Sequence, residues 1–220
     1  MTNYEVGTKV SPSYTTSLNP GSYSFGPATG IVAKTYSVSF NGETLTTATG
    51  TFKEMQVTDA TNLSIISTIT YDDGAIPVTN LGNNSNSDQI LAGSKTATKG
   101  TLKGYRNSFY GTFNDKTKVL NSANIRALTG KSGKDYVKGS VFTITLPVGA
   151  QSVIFAYPAD LPVVSSVKDI NGMNAEIKSA FNESTVAVTG ANDYTAIDYR
   201  VYRMDMAEPL AKANSYKVTI

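Results

Sequence analysis

The chain has 220 residues, 40% of them hydrophobic and 16% charged, with a net charge of +2. That is long enough to bury a sizeable core in one large or two small domains, and too nearly neutral for a nucleic-acid coat or a membrane-surface binder. It contains no Cys and no His, which excludes cysteine nucleophiles, the Ser-His-Asp triad, thiolate or imidazole metal sites and a histidine general base together.

Low charge, with 13 Tyr, 8 Phe, 18 Gly and abundant Thr, Ser and Val, favours strands and turns over helices. The N-terminus lacks a basic region followed by an apolar core, and no run approaches the roughly 18 apolar residues of a membrane span. The expectation is a protein made in the cytoplasm that acts as a soluble or assembled species.

Residues 1–30 carry Pro12, Pro20 and Pro27 among repeated Ser, Thr and Gly, with Tyr4, Tyr14 and Tyr23. Too few apolar positions recur here for the segment to fold alone. It is expected to be an extended arm, either a disordered tail or a strap ordered on a neighbouring subunit through its tyrosines.

Residues 31–81 read as a small immunoglobulin-like β-module. Tyr36, Val38 and Phe40 alternate with Ser37 and Ser39, and Asn41-Gly42 follows as a two-residue hairpin signal. Further strands are expected at Gly50 to Val57 and Leu63 to Tyr71, a turn at Asp73-Gly74, and an edge strand at Ile76-Pro77-Val78. Residues 82–103 are dominated by Gly, Asn, Ser and Thr, with Gln89 to Leu91 the only apolar island, and read as a polar linker with room for one short strand and with solvated Lys95, Lys99 and Lys103.

Residues 104–220 form a larger β-module. Tyr105 to Phe113 predicts an aromatic strand, and Ser122 to Leu128 a short helix with Ser122 as its N-cap. Val141 to Leu146 alternates apolar residues with threonine, Pro147 to Ala150 punctuates, and Ser152 to Tyr157 is apolar on both faces, as for a central strand between two packed layers. These two strands are expected to set the register of the sheet core. Val163 to Val167 is expected to be a strand. Met173, Ile177 and Phe181 at spacing four predict a two-turn amphipathic helix, and strands at Thr185 to Val188, Tyr194 to Met204 and Tyr216 to Ile220 complete the set. The fold class is all-β with minor α: two β-sandwich modules, the second with one or two short helices.

With Cys and His absent, carboxylates are the remaining catalytic candidates, and a glycosidase would need two across a cleft. Asp169, Glu176, Asp193, Asp198 and Asp205 read as turn and surface residues instead. Asp72-Asp73-Gly74 fits a hairpin turn better than a calcium loop, and Gly130 to Lys134 is a surface loop lacking the glycine spacing of a phosphate cradle. No catalytic, cofactor or metal residue is expected. The sequons at Asn62, Asn83 and Asn182 carry no weight without a secretory signal. Tyr4, Tyr14, Tyr23, Tyr105, Tyr110, Tyr194, Tyr199 and Tyr202 are candidates for an interaction surface. Sugar stacking is open to the last five, against the alternative that strand tyrosines pack a sheet or a subunit interface.

Several phrases together carry a family resemblance: FGPATG at Phe25 to Gly30, GTFKEMQVTDATN at Gly50 to Asn62, PVTNLG at Pro77 to Gly82, VIFAYP at Val153 to Pro158, SVKDINGMNAEI at Ser166 to Ile177, and the closing YKVTI. The chain resembles virion structural proteins of tailed bacteriophages of gut bacteria, crAss-like phages among them. The resemblance implies a non-enzymatic particle component of tail, neck, baseplate or head decoration. It would be located in the virion, present in many copies, and in contact with itself and with other virion proteins. No functional residue transfers with it. The alternative is a fibre module that binds a carbohydrate or another host surface; neither nucleic acid nor membrane is expected as a partner.

Overall fold

The computed structural model describes residues 3–23, 26–27, 30–79, 81–133 and 136–220. The fold is all-β in the main, and the chain divides into two compact units. The first comprises Met1–Tyr4 and Lys9–Gly104; the second comprises Glu5–Thr8 and Tyr105–Ile220.

In chain order the first eleven strands are β1 (Tyr4–Glu5), β2 (Lys9–Val10), β3 (Ser13–Thr15), β4 (Ser22–Tyr23), β5 (Gly26–Pro27), β6 (Ala33–Phe40), β7 (Glu43–Leu45), β8 (Thr49–Thr51), β9 (Met55–Gln56), β10 (Asn62–Tyr71) and β11 (Gly93–Tyr105). A five-stranded sheet runs β1-β11-β10-β6-β7. The Asn41-Gly42 hairpin joins β6 to β7 as expected: Asn41 and Gly42 take φ of 48° and 79°, and Phe40 pairs with Glu43.

The inner face of this sheet, with Val38, Phe40, Ile65 and Leu102, packs on Val10, Phe52 and Val57. Those residues belong to a second layer of short paired strands, β2 with β9 and β3 with β8. Phe52 lies at its centre, its ring 5.2 Å from that of Tyr14 and 5.3 Å from that of Phe40. Residues 9–15, expected within an extended arm, are thus half of this second layer. Without them the apolar face of β6 and β10 would lie open, and a single sheet with one bare apolar face is not stable.

Residues 93–103, expected in a polar linker, lie in the 13-residue strand β11, antiparallel to β10. Threonine suits an extended backbone, and the stretch from Gly93 to Thr101, exposed on both faces, needs no apolar alternation. The expected edge strand at Ile76 to Val78 is reduced to one bridge between Val78 and Asn84, inside the long loop joining β10 to β11. Asp73-Gly74 is no tight turn: Gly74 N donates to Ile90 O at 2.8 Å and Ala92 N to the Asp73 carboxylate at 2.6 Å, closing the neck of that loop. The strand expected at Gly50 to Val57 splits into β8 and β9 around buried Phe52.

The second unit contains β12 (Ser108–Phe113), α1 (Ser122–Arg126), β13 (Gly130–Ser132), β14 (Val141–Leu146), β15 (Ser152–Pro158), β16 (Ser166–Asp169), β17 (Ala175–Glu176), β18 (Asn182–Val188), β19 (Ile197–Asp205) and β20 (Asn214–Thr219). One sheet runs β13-β12-β15-β19-β18 and the other β14-β20-β16-β17. All seven residues of β15 are buried. Val153, Phe155 and Tyr157 enter the core shared by the two sheets with Ile144, Leu146, Val167, Tyr202 and Val218. Ile154 and Ala156 enter a second core with Phe109, Phe113, Tyr199, Val201 and the helix residue Ile125.

β14 and β15 do not share a sheet, contrary to expectation: β14 pairs with β20, and β15 with β12 and β19. The Pro147 to Gln151 corner, pinned by Gly149 N donating to Leu210 O at 2.8 Å, carries the chain from one sheet to the other. Three further corrections apply. The N-cap of α1 is Asn121, whose side chain accepts from Asn124 N at 2.9 Å, with Ser122 the first helical residue. Gly130 to Ser132 is an edge strand paired with β12, and Lys134 lies outside the described residues. The helix expected over Met173 to Phe181 is a turn, the two-residue β17 and a short 3-10 segment, Lys178–Ala180.

The N-terminal segment Glu5–Thr8 is built into this unit. Val6 is fully buried, its amide donating to Tyr105 O at 2.9 Å and its carbonyl accepting from Ala191 N at 2.8 Å. Arg126 holds the half-buried Glu5 carboxylate at 2.5 Å, and Asn192 Nδ2 donates to Gly7 O at 3.1 Å. Val6→Ala is therefore expected to cost about 2 kcal/mol, read by denaturant unfolding, with faster exchange of the Ala191 amide.

Candidate functional site

Of the eight tyrosines, the side chain of Tyr23 lies outside the described residues, and none of the other seven is exposed. Tyr4 and Tyr14 pack on the core of the first unit. Tyr199 and Tyr202 are buried at 1% and 2% exposure. The Tyr199 hydroxyl donates to Asn107 O at 2.8 Å, and the Tyr202 ring stacks on Phe155 at 4.8 Å. Tyr194 lies under the Arg106 guanidinium at 5.4 Å. Burial pushes the phenols of Tyr157, Tyr202 and Tyr216 up from their ordinary value, so all three stay protonated.

Glycine recurs beneath these rings. Tyr14 pairs across strands with Gly50, Tyr71 with Gly93 and Tyr110 with Gly130. Each ring reaches over the glycine's bare Cα, and a Cβ on Gly130 would overlap the ring of Tyr110. The tyrosine thus supplies the apolar cover that the glycine lacks. Tyr105 covers Gly133 in the same way. The tyrosine signal in the sequence reports sheet packing.

The carboxylates read as turn and surface residues take different roles, and Asp169 holds a turn. Asp169 Oδ1 accepts from Asn171 N at 3.1 Å and Gly172 N at 2.9 Å. Asp205 joins Ser152 at 2.5 Å and Arg203 at 2.7 Å. Asp193 and Asp198 are exposed, the former with φ of 55°.

Glu176 and Glu183 line one open cleft of about 530 Å³ with Phe181 and Tyr202. Desolvation pushes the Glu176 carboxyl up, but the Ser166 hydroxyl and the Val167 and Lys178 amides outweigh it, and the group is held below the ordinary carboxylate range. Glu183 pairs with Arg200 at 2.8 Å. Glu176 thus acts as a hydrogen-bond acceptor, whereas the general acid of a glycosidase needs its carboxyl raised. Among the described residues no group of three or more Asp, Glu, His or Cys converges as metal ligands would, and no helix is long and apolar enough to cross a membrane.

The first unit carries a hydroxyl-rich sheet face. On the outer face of its sheet, registers align Thr35, Thr70 and Ser94 in one row, Ser37, Thr68 and Thr96 in the next, and Ser39, Ile66 and Thr98 in a third. Hydroxyls bond across strands, Thr35 with Thr70 at 2.5 Å and Thr68 with Thr96 at 2.9 Å. At the side of this face runs β11, every residue from Gly93 to Thr101 exposed. Sequence reasoning missed this edge; the signal that could have found it was the run of β-branched threonines at alternate positions, 96, 98 and after the glycine 101.

The chain matches no protein-family model, no curated protein and no solved structure.

Two outcomes follow. Gly130→Ala is expected to lower stability by about 1–3 kcal/mol through overlap with Tyr110, read by thermal or denaturant unfolding. Because the Glu176 carboxyl is lowered in the fold, its contribution is fully present above the unfolded value of about 4.3 and is lost as pH falls through the folded value. Thermal midpoints measured from pH 7 to pH 3 should therefore fall more steeply on the acid side for the parent chain than for Glu176→Gln.

Proposed function

We propose that the protein is a non-enzymatic structural component of a phage particle, in tail, neck, baseplate or head decoration. It assembles through protein–protein contacts with copies of itself and with other virion proteins. The observation that carries the assembly reading is the exposed β11 edge beside a hydroxyl-rich face. An open strand edge presents unpaired N–H and C=O groups that another chain can satisfy. The virion reading is supported by the sequence phrases that resemble structural proteins of tailed phages. In the same reading both units are β-sandwiches, the first immunoglobulin-like, an architecture compatible with many functions. A glycan-binding fibre module draws no support from the tyrosines, because stacking on a pyranose needs exposed ring faces and the seven described are packed.

Native mass of the purified chain, with antibody labelling of purified particles, tests this. Multimers or particle-bound protein are expected. A chain that stays monomeric and is absent from particles would overturn it, and a positive glycan array with neither assembly nor labelling would move the function to carbohydrate binding.

A further inference from the structure

We propose that the open edge of β11 from Gly93 to Lys99 is a docking site for an extended acidic segment of a different protein chain. That segment would add to the sheet as a further strand, its carboxylates facing Lys95 and Lys99. The inference rests on the assembly reading above and names the surface and the partner's chemistry.

The edge has the length for it. β11 is 13 residues long, whereas the edge strands β7, β13, β14, β17 and β18 have three, three, six, two and seven. The two-residue β1 meets it at its far end, where Val6 N donates to Tyr105 O. The regular stretch stops at Gly100, which has φ of 58°, beside the register shift between Leu63 and Ile65; this is a bulge, and it limits the free edge to the residues before it.

Charge selects the occupant. Lys95 pairs with Ile69 and Lys99 with Ile65, so both lysines lie on one face, about 13 Å apart along the strand. β10 has no charged residue to answer them, and neither lysine has an ion-pair partner among the described residues. A second copy fits badly: two β11 strands paired antiparallel about Ala97 would set Lys95 against Lys99, and like charges directly opposite destabilise a sheet. Nowhere in the sequence are two Asp or Glu residues four apart, so no strand of another copy supplies the matching pair. Lysines on a free edge discourage uncharged strands, and the same charges favour an acidic one.

The test titrates the full chain into two labelled heptapeptides, TEVTVET and its counterpart TKVTVKT, at low salt, with fluorescence anisotropy as the readout. The acidic peptide is expected to bind at least about tenfold more tightly, and to be released at about 0.5 M NaCl, where screening is nearly complete. Lys95→Glu with Lys99→Glu should reverse the preference. Lys95→Gln with Lys99→Gln, a milder change checked for folding by circular dichroism, should remove it. Equal affinity for the two peptides, or unchanged preference in either double variant, overturns the proposal. Failure of TEVTVET to bind a chain that does assemble overturns the edge assignment alone. A monomeric chain absent from particles overturns the assembly reading instead.

Discussion

Burial of both faces of one strand is the constraint on which the second unit depends. β15 gives Val153, Phe155 and Tyr157 to one core and Ile154 and Ala156 to another, so each face fixes what must cover it. The first demands the sheet β14-β20-β16-β17; the second demands α1, with Ile125 fully buried. A one-residue slip of β15 would exchange the two sets of side chains and leave both cores mismatched. The Arg203 cluster guards one end: its guanidinium reaches Asp205 at 2.7 Å and the carbonyls of Lys116 and Lys118, tying the loop before α1 to the end of β19.

The first unit meets the same requirement with less. Its sheet has one apolar face, and the cover comes from strands of two or three residues, β2, β3, β8 and β9. Such strands contribute few ladder bonds, so the layer depends on the apolar anchors Val10, Phe52 and Val57 and on Phe52 packed at a tilt between Tyr14 and Phe40. The chain passes between units at residues 4 and 5, again at 8 and 9, and finally at 104 and 105. The N-terminal residues therefore belong to the stability of both units.

Legibility in the sequence followed the strength of the burial pattern. The strands β14 and β15 and the Asn41-Gly42 hairpin could be read directly, because alternation, a fully apolar run and a positive-φ dipeptide have one structural solution each. Which sheet β14 joins could not be read, because pairing with β20 joins residues about seventy apart and leaves no local mark. The apolar spacing of Met173, Ile177 and Phe181 misled. Met173 is 94% exposed, and Met173 and Asn174 take φ of 56° and 57°. Asp169 and Glu176 capture the backbone amides around them, which stabilises a turn over a helix. The β11 edge stayed hidden for the opposite reason. With water on both faces it needs no apolar period, and its Thr, Lys and Gly composition resembles a linker.

The cores of both units are closed, whereas the long edge of β11 is open. Amide hydrogen exchange, compared between the isolated chain and the assembled particle or complex, tests that contrast most directly. It should show β15 slow in both states, and the outward amides of residues 93–99 fast in isolation and slowed on assembly. Protection of those outward amides in the isolated chain, or equally fast exchange in both states, would contradict it.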